Sequence, residues 1–229
     1  MLILKMKNLW ILILVFTGFG LIAQTAKPNT FNSNKDADPK AKAILKQVKD
    51  QFKIDKGVTL SFEFRYSPAE GTPTIQKGTA QLQGKKFNLD LTDQTMISEG
   101  TTLWTVIKKR KEVQVNDATE IENDPMSPYQ LLQIHDSPAY TYILAGENKV
   151  NGSVRDLIEF KPLDKNAEFF KIRAEVDRAK KQYKKITLFL KNGDQYQLDI
   201  NSQVNKSLPE NIFSWDPKKN PGMKVEDLR

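Results

Sequence analysis

Five stretches of this chain alternate apolar and polar residues with a period of two. Val58, Leu60, Phe62, Phe64 and Tyr66 alternate with Thr59, Ser61, Glu63 and Arg65 until Pro68 and Gly71 break the run. The same alternation returns over residues 87–91, 170–176, 186–190 and 196–200. Successive side chains of a strand point to opposite faces, so each stretch predicts a strand with one dry and one wet face. The breaks Ser98-Glu99-Gly100, Lys109-Arg110-Lys111 and Lys191-Asn192-Gly193-Asp194 are short enough for hairpins between antiparallel neighbours. The pattern therefore predicts a meandering antiparallel sheet curling toward a barrel or half-barrel.

Helical spacing occurs ahead of the first strand. Asp38-Pro39 supplies an N-cap and a proline for the first helical position, and Ala41, Ile44, Leu45, Val48 and Phe52 recur at steps of three and four. An amphipathic helix with one apolar face is expected, and such a face ordinarily packs on a sheet. Between Asn116 and Asn148 the alternation lapses. Helices and loops are expected there, with Ser127-Pro128 opening a short helix that carries Leu131, Leu132 and Ile134. The polar tail from Asp216 to Arg229 reads as a last short strand and a loose end.

The N-terminus changes the setting in which this sheet works. Lys5 and Lys7 precede an uncharged, apolar run from Asn8 to Ala23 that ends in Ile22-Ala23-Gln24. That arrangement predicts a signal peptide over residues 1–23, cleaved after Ala23, with a retained membrane anchor as the competing reading that the run's shortness and the small residue at the cut disfavour. Residues 24–37 form a polar, turn-rich leader, and residues 38–229 one domain. Cleavage after Ala23 would remove 23 of 229 residues and two lysines, leaving 206 residues and lowering the formal net charge from +7 to +5. There is no cysteine, hence no disulfide framework and no thiol for lipidation. The expected product is a soluble periplasmic protein. Its lysines are scattered rather than gathered in one tract, which favours a solvated basic surface over a nucleic-acid partner.

Catalytic chemistry has few seats. A zinc site would have only His135 and carboxylates to draw on, and a serine hydrolase would also have to use His135 without any Gly-x-Ser-x-Gly elbow. His135 reads as a surface or loop residue. Neither a phosphate loop nor a dinucleotide-binding Gly-x-Gly-x-x-Gly turn occurs. Asp90 with Asp93, or Glu120 with Glu122, could serve a glycosidase, but acidic residues beside turns are usually solvated. A non-enzymatic role is expected, with no cofactor and no metal.

Two consecutive segments carry a family resemblance. The first runs from Gly78 to Leu91 through Lys85, Lys86 and Phe87. The second is Gln94 to Trp104, with Ile97-Ser98-Glu99-Gly100-Thr101-Thr102-Leu103-Trp104 at its end. Together they resemble the LolA family, periplasmic carriers of outer-membrane lipoproteins. Leu157-Ile158-Glu159-Phe160-Lys161-Pro162 looks like that family's strand running into a proline, and Pro209 to Pro217, with Phe213 and Trp215, like its closing strand. The motifs are individually weak and jointly specific, and they cover most of the chain beyond the leader.

The resemblance implies a mainly β fold with helices: an unclosed antiparallel β-barrel, or half-barrel, lidded by α-helices, whose concave apolar face takes a lipoprotein's acyl chains. Phe87 aligns with the family's phenylalanine at the cavity mouth and Trp104 with its tryptophan after the glycine turn. By strand phase, Phe62, Phe64, Leu89, Leu91, Ile172, Leu188 and Leu198 are the further candidates for the lining. Ile44, Leu45, Val48 and Phe52 supply the lid helix. The family arginine that latches the lid has no counterpart. Gln83-Gly84-Lys85-Lys86 stands there, and Lys85 or Lys86 is the candidate latch, without arginine's bidentate fork.

The partners so implied are acylated lipoproteins, an inner-membrane ABC-type exporter that supplies them, and an outer-membrane acceptor. A sibling function, carrying free lipid or sensing mislocalised lipoproteins in envelope stress, is the alternative within the fold. A periplasmic hydrolase using His135 is the alternative outside it.

Overall fold

The computed structural model describes residues 37–119 and 128–229. The signal segment and most of the leader lie outside the described residues, as do Glu120 and Glu122. Among the described residues no helix is long and apolar enough to cross a membrane.

Helix α1 (Pro39–Gln51) starts where its sequence says it should. Asp38 sits in extended conformation as N-cap, its carboxylate accepting from the Lys40 amide at 2.7 Å, and Pro39 opens the first turn. There follow β1 (Val58–Ser67), β2 (Thr74–Gln83), β3 (Lys86–Leu91), β4 (Gln94–Ser98), β5 (Thr102–Ile107) and β6 (Glu112–Asp117). The short helix α2 (Pro128–Leu132) and a 3-10 turn over Ile134–Asp136 lead to β7 (Tyr140–Val150). Strands β8 (Ser153–Pro162), β9 (Phe169–Asp177), β10 (Gln182–Leu190), β11 (Gln195–Asn205) and β12 (Lys224–Asp227) complete the order.

All twelve strands form one sheet in the order β12-β6-β5-β4-β3-β2-β1-β11-β10-β9-β8-β7. The long β1–β11 pairing is its middle, and two antiparallel arms meander away from it. Strand β12 adds to β6 in parallel, so β12 and β7 are the two edges. They are not paired with each other. The sheet is therefore an open half-barrel, as expected. Register shifts at Ser61/Phe62, Tyr183/Lys185 and Leu144/Gly146 bend it, because an extra residue on one strand sharpens local twist. Strands β6 and β7 are consecutive in sequence but lie in opposite arms, and the connection between them carries α2.

The strands divide their side chains between two cores. On the inner face Val58, Leu60, Phe62, Ala80, Leu82, Leu89, Ile172, Ala174, Ile186, Leu188 and Leu198 are all buried together with the apolar face of α1. On the outer face a second set, Ile97, Val113, Val115, Leu208 and Phe213, is buried outside that cluster. It forms because the chain after β11 folds back over β3: the Asn88 amide donates to the Ile212 carbonyl at 2.8 Å.

Three local expectations need correcting. The 116–148 interval is not wholly helix and loop, since β7 begins at Tyr140, with Tyr140 and Tyr142 facing the inner core. Residues 209–217 do not form a closing strand; they contain a 3-10 turn over Glu210–Phe213, and another begins at Pro217. Phe170 does not continue the inward phase of Ile172. A register shift at Leu190/Phe169 turns Phe169 inward and leaves Phe170 51% exposed. The tail does end in a short strand, β12, as its composition suggested.

Candidate functional site

The inner face and the helix across it form the candidate site. Helix α1 lays Ala41, Leu45 and Val48 onto the sheet, and Phe52 follows at its C-cap; all four are buried, while Ile44 is half-buried at the margin. The lid therefore uses the face that helical spacing predicts.

Polar contacts hold its two ends. At the N-terminus the Asp38 amide donates to the Tyr142 carbonyl at 3.0 Å, and the Leu144 amide donates to the Asp38 carboxylate at 3.2 Å. Burial alone would raise the Asp38 carboxyl, but the amides of Lys40, Leu144 and Ala41 outweigh it and hold it below its ordinary value. At the C-terminus the Gln51 carbonyl accepts from Asn205 at 2.9 Å and from Gln203 at 3.3 Å, both on β11. The Gly84 amide, in the β2–β3 turn, donates to the Ile54 carbonyl at 3.1 Å just beyond the helix.

Most of the expected lining residues come together under this lid. Phe62, Phe87, Leu89, Leu91, Ile172, Leu188 and Leu198 belong to one buried cluster and are between 0% and 5% exposed. Phe64 lies at its margin with Met96 and Tyr196, partly buried. Its ring stacks on Tyr196 at 5.8 Å, and Tyr196 stacks on Tyr66 at 5.0 Å, which makes an aromatic rim at one end of the inner face. Tyr129 of α2 covers Phe87, ring to ring at 4.7 Å. The α1 side chains Ala41, Leu45, Val48 and Phe52 pack into the same cluster. Met96, Tyr129 and Tyr196 join the expected lining residues here; Tyr196 is readable from its strand phase, whereas α2 carries no periodic signal that would aim Tyr129.

Trp104 is not in this lining. It pairs with Ile97 on β4 and Val115 on β6, whereas Leu103 pairs with Ser98, the partner of Phe87. Since side chains alternate across a sheet, Trp104 faces the outer core.

Lys86 points away from α1. It shares the outer phase of Asn88, and its ammonium pairs with Glu210. That contact fastens the chain after β11, not the lid. Lys85 stands exposed in the β2–β3 turn, next to the Gly84–Ile54 tie.

The candidate catalytic groups are set for packing or pairing. His135 is half-buried rather than on the surface, its ring 5.8 Å from Phe52 and 6.0 Å from Tyr183. Asp90 lies on the outer face, bound by Lys108 at 2.9 Å and Thr95 at 2.5 Å. Burial would raise its carboxyl, but these partners hold it below the ordinary value, the opposite of what a general acid requires. Among the described residues no cluster of His, Cys, Asp and Glu is arranged to hold a metal.

No protein-family model and no curated protein matches the chain. Among solved structures, an uncharacterized conserved protein from Thermus thermophilus superposes with a TM-score of 0.56 at 10% identity, over 82% of this chain and 99% of that one. It shares the fold. A LolA superfamily protein from Nitrosomonas europaea is similar at a TM-score of 0.44 and 12% identity, over 77% of this chain and 98% of that one. Lipoprotein LppX of Mycobacterium tuberculosis is similar at 0.47 and 13%, over 76% and 99%.

Proposed function

We propose that the protein is a LolA-like carrier that binds the acyl chains of lipoproteins between α1 and the inner face of its half-barrel, and moves them from the inner toward the outer membrane. The observation that carries this reading is the apolar inner face itself, covered by a helix that polar contacts hold at its two ends. The motif resemblance over residues 78–104 supports the same reading. The proposed compartment is the periplasm, reached through the signal segment over residues 1–23. An inner-membrane ABC-type exporter supplies the cargo and its energy, which accords with a chain lacking a phosphate loop.

Magnitudes favour exchange over insertion into a void. An acyl chain of ~16 carbons gains about 12 kcal/mol on leaving water, at roughly 0.8 kcal/mol per methylene. Entry beneath α1 displaces Leu45, Val48 and Phe52, which lose about 1.5–3 kcal/mol each, roughly 5–9 kcal/mol in all. The difference is a few kcal/mol per chain, small enough for cargo to be handed on and large enough for it to be held. A cavity already open would bind an acyl chain by the full amount and release it slowly.

The test is mass spectrometry of the protein purified gently from its native envelope, with intact acylated proteins and free lipids scored separately. Stoichiometric acylated lipoprotein supports the carrier. Free lipid alone replaces it with the free-lipid or envelope-stress function, and a protein that stays empty when offered either refutes acyl-chain binding.

A further inference from the structure

A second candidate site lies on the outer face of β7, β8 and β9, opposite the surface that α1 covers. A pocket of about 200 Å3 is lined there by Thr141, Ile143, Glu159, Lys161, Phe170 and Lys171 among others. Tyr140 and Tyr142 point inward, so Thr141 and Ile143 between and beyond them point outward. Cross-strand pairing sets Thr141 against Lys161, and Ile143 against Glu159, which in turn faces Arg173.

Two properties of this pocket are not used by the fold. Thr141 is only 1% exposed, yet its hydroxyl has no hydrogen-bond partner among the described residues. Buried hydroxyls are nearly always paired, so one that lines a pocket is a donor awaiting an acceptor. The local charge is also unbalanced. Glu159 is engaged by Arg173 at 2.6 Å and Lys171 at 3.3 Å, while Lys161 is exposed and has no ion pair among the described residues. Burial would raise the Glu159 carboxyl, but these two cations outweigh it and keep it ionised. Three cations against one carboxylate leave two positive charges in excess.

The apolar side of the pocket is unusual too. The register shift on β9 turns Phe170 outward to 51% exposure beside Phe189, 6.2 Å away, whose ring also carries the Lys171 ammonium at 4.8 Å. An exposed apolar ring beside lysines is the pairing with which basic amphipathic surfaces enter the boundary between headgroups and acyl chains.

We propose that this pocket receives the phosphate of an anionic phospholipid headgroup, with Lys161 and the Thr141 hydroxyl as its ligands and Phe170 resting in the interfacial layer. Its volume lies below that of pockets that enclose a whole ligand, and suits one headgroup whose chains stay in the membrane. An acidic peptide would answer the charge but not the outward-turned Phe170. The site would hold the carrier at an anionic leaflet while α1 opens on the other face, and it stands or falls independently of what α1 covers.

The experiment is flotation of the chain lacking residues 1–23 with phosphatidylglycerol vesicles or phosphatidylcholine vesicles. The expected result is binding to the first and not the second, competed by glycerol phosphate. Thr141→Val and Lys161→Ala should each weaken it several-fold, while Lys109→Ala, in an exposed turn away from the pocket, leaves it unchanged. Thr141→Val keeps the side chain's shape, and unchanged thermal melting shows that the fold is intact. Equal binding by all variants overturns the proposal. So does binding of inorganic phosphate or an acidic peptide without any binding to vesicles. Uptake of a fluorescent fatty acid, followed on the same variants, reports the α1-covered site separately and should not change.

Discussion

Gly78 and Phe62 face each other across β1 and β2 with no room for one more carbon. A Cβ on Gly78 would stand 2.6 Å from the Phe62 ring and 2.8 Å from a methyl of Leu91. The missing side chain leaves room for the ring over the neighbouring strand, beside the register shift at Ser61/Phe62. Gly78→Ala should therefore destabilise the protein by about 1–3 kcal/mol through overpacking, measured by urea unfolding. Phe62→Leu in the same chain should recover part of that loss. Simple additivity of the two changes would refute the contact as the cause.

The two faces of the sheet make opposite predictions for two aromatics the sequence placed in one site. Phe64 lies on the inner rim against Tyr196, and Trp104 on the outer face between Ile97 and Val115. Phe64→Ala should weaken fatty-acid uptake by several-fold. Trp104→Phe should leave uptake unchanged and lower stability instead. A titration with a fluorescent acyl probe, read beside a melting curve, distinguishes them, and loss of uptake in the Trp104 variant would contradict its outer placement.

Lys86 offers a test of what latches the lid. Its partner Glu210 is 70% exposed, and ion pairs in such surroundings contribute at most about 1 kcal/mol. Lys86→Ala should change neither the rate of probe uptake nor the protection of α1 from hydrogen exchange. Asn205→Ala should do both, because it removes the 2.9 Å bond to the Gln51 carbonyl at the end of the lid. The reverse outcome would make Lys86 the latch after all.

How much of this was legible in the sequence depended on how far period and geometry agree. Where the alternation runs unbroken, as over residues 62–66, 87–91 and 186–189, phase alone puts Phe62, Leu89 and Leu188 on the inner face. It failed at irregular points. The register shift at Phe169 inverts the face of Phe170, and a one-residue slip moves every side chain before it to the other side. Motif likeness misplaced Trp104 because a matched turn says nothing about which face follows it. Tyr140 and Tyr142 do alternate, but Ile143 and Leu144 beside them blur the pattern, so β7 and with it the outer pocket went unseen. The ties of α1 to β7 and β11 join residues far apart in the chain, and no local pattern announces them.

The tie at Asp38 should make the lid sensitive to acid. Its carboxyl is held below the ordinary value of 3.8, despite burial, by the amides it caps and by the Leu144 amide. A group whose folded value is depressed contributes its full stabilisation above the unfolded value and loses it as pH falls through the folded one. The N-terminus of α1 should thus be anchored at neutral pH and loosen as pH drops below about 3.8. Other carboxylates with depressed values, among them Glu159 and Asp177, weaken the whole fold in the same range, so the wild-type curve alone does not isolate the lid. Asp38→Asn does, because asparagine can still cap the Lys40 amide but carries no titrating charge. Hydrogen exchange of the Lys40 and Leu144 amides, corrected for intrinsic rates, should show greater protection in the wild type than in the variant at pH 6, with the difference shrinking progressively as pH falls below the ordinary value of 3.8. Equal protection of the two proteins at pH 6 would mean that the charge of Asp38 does not hold the lid.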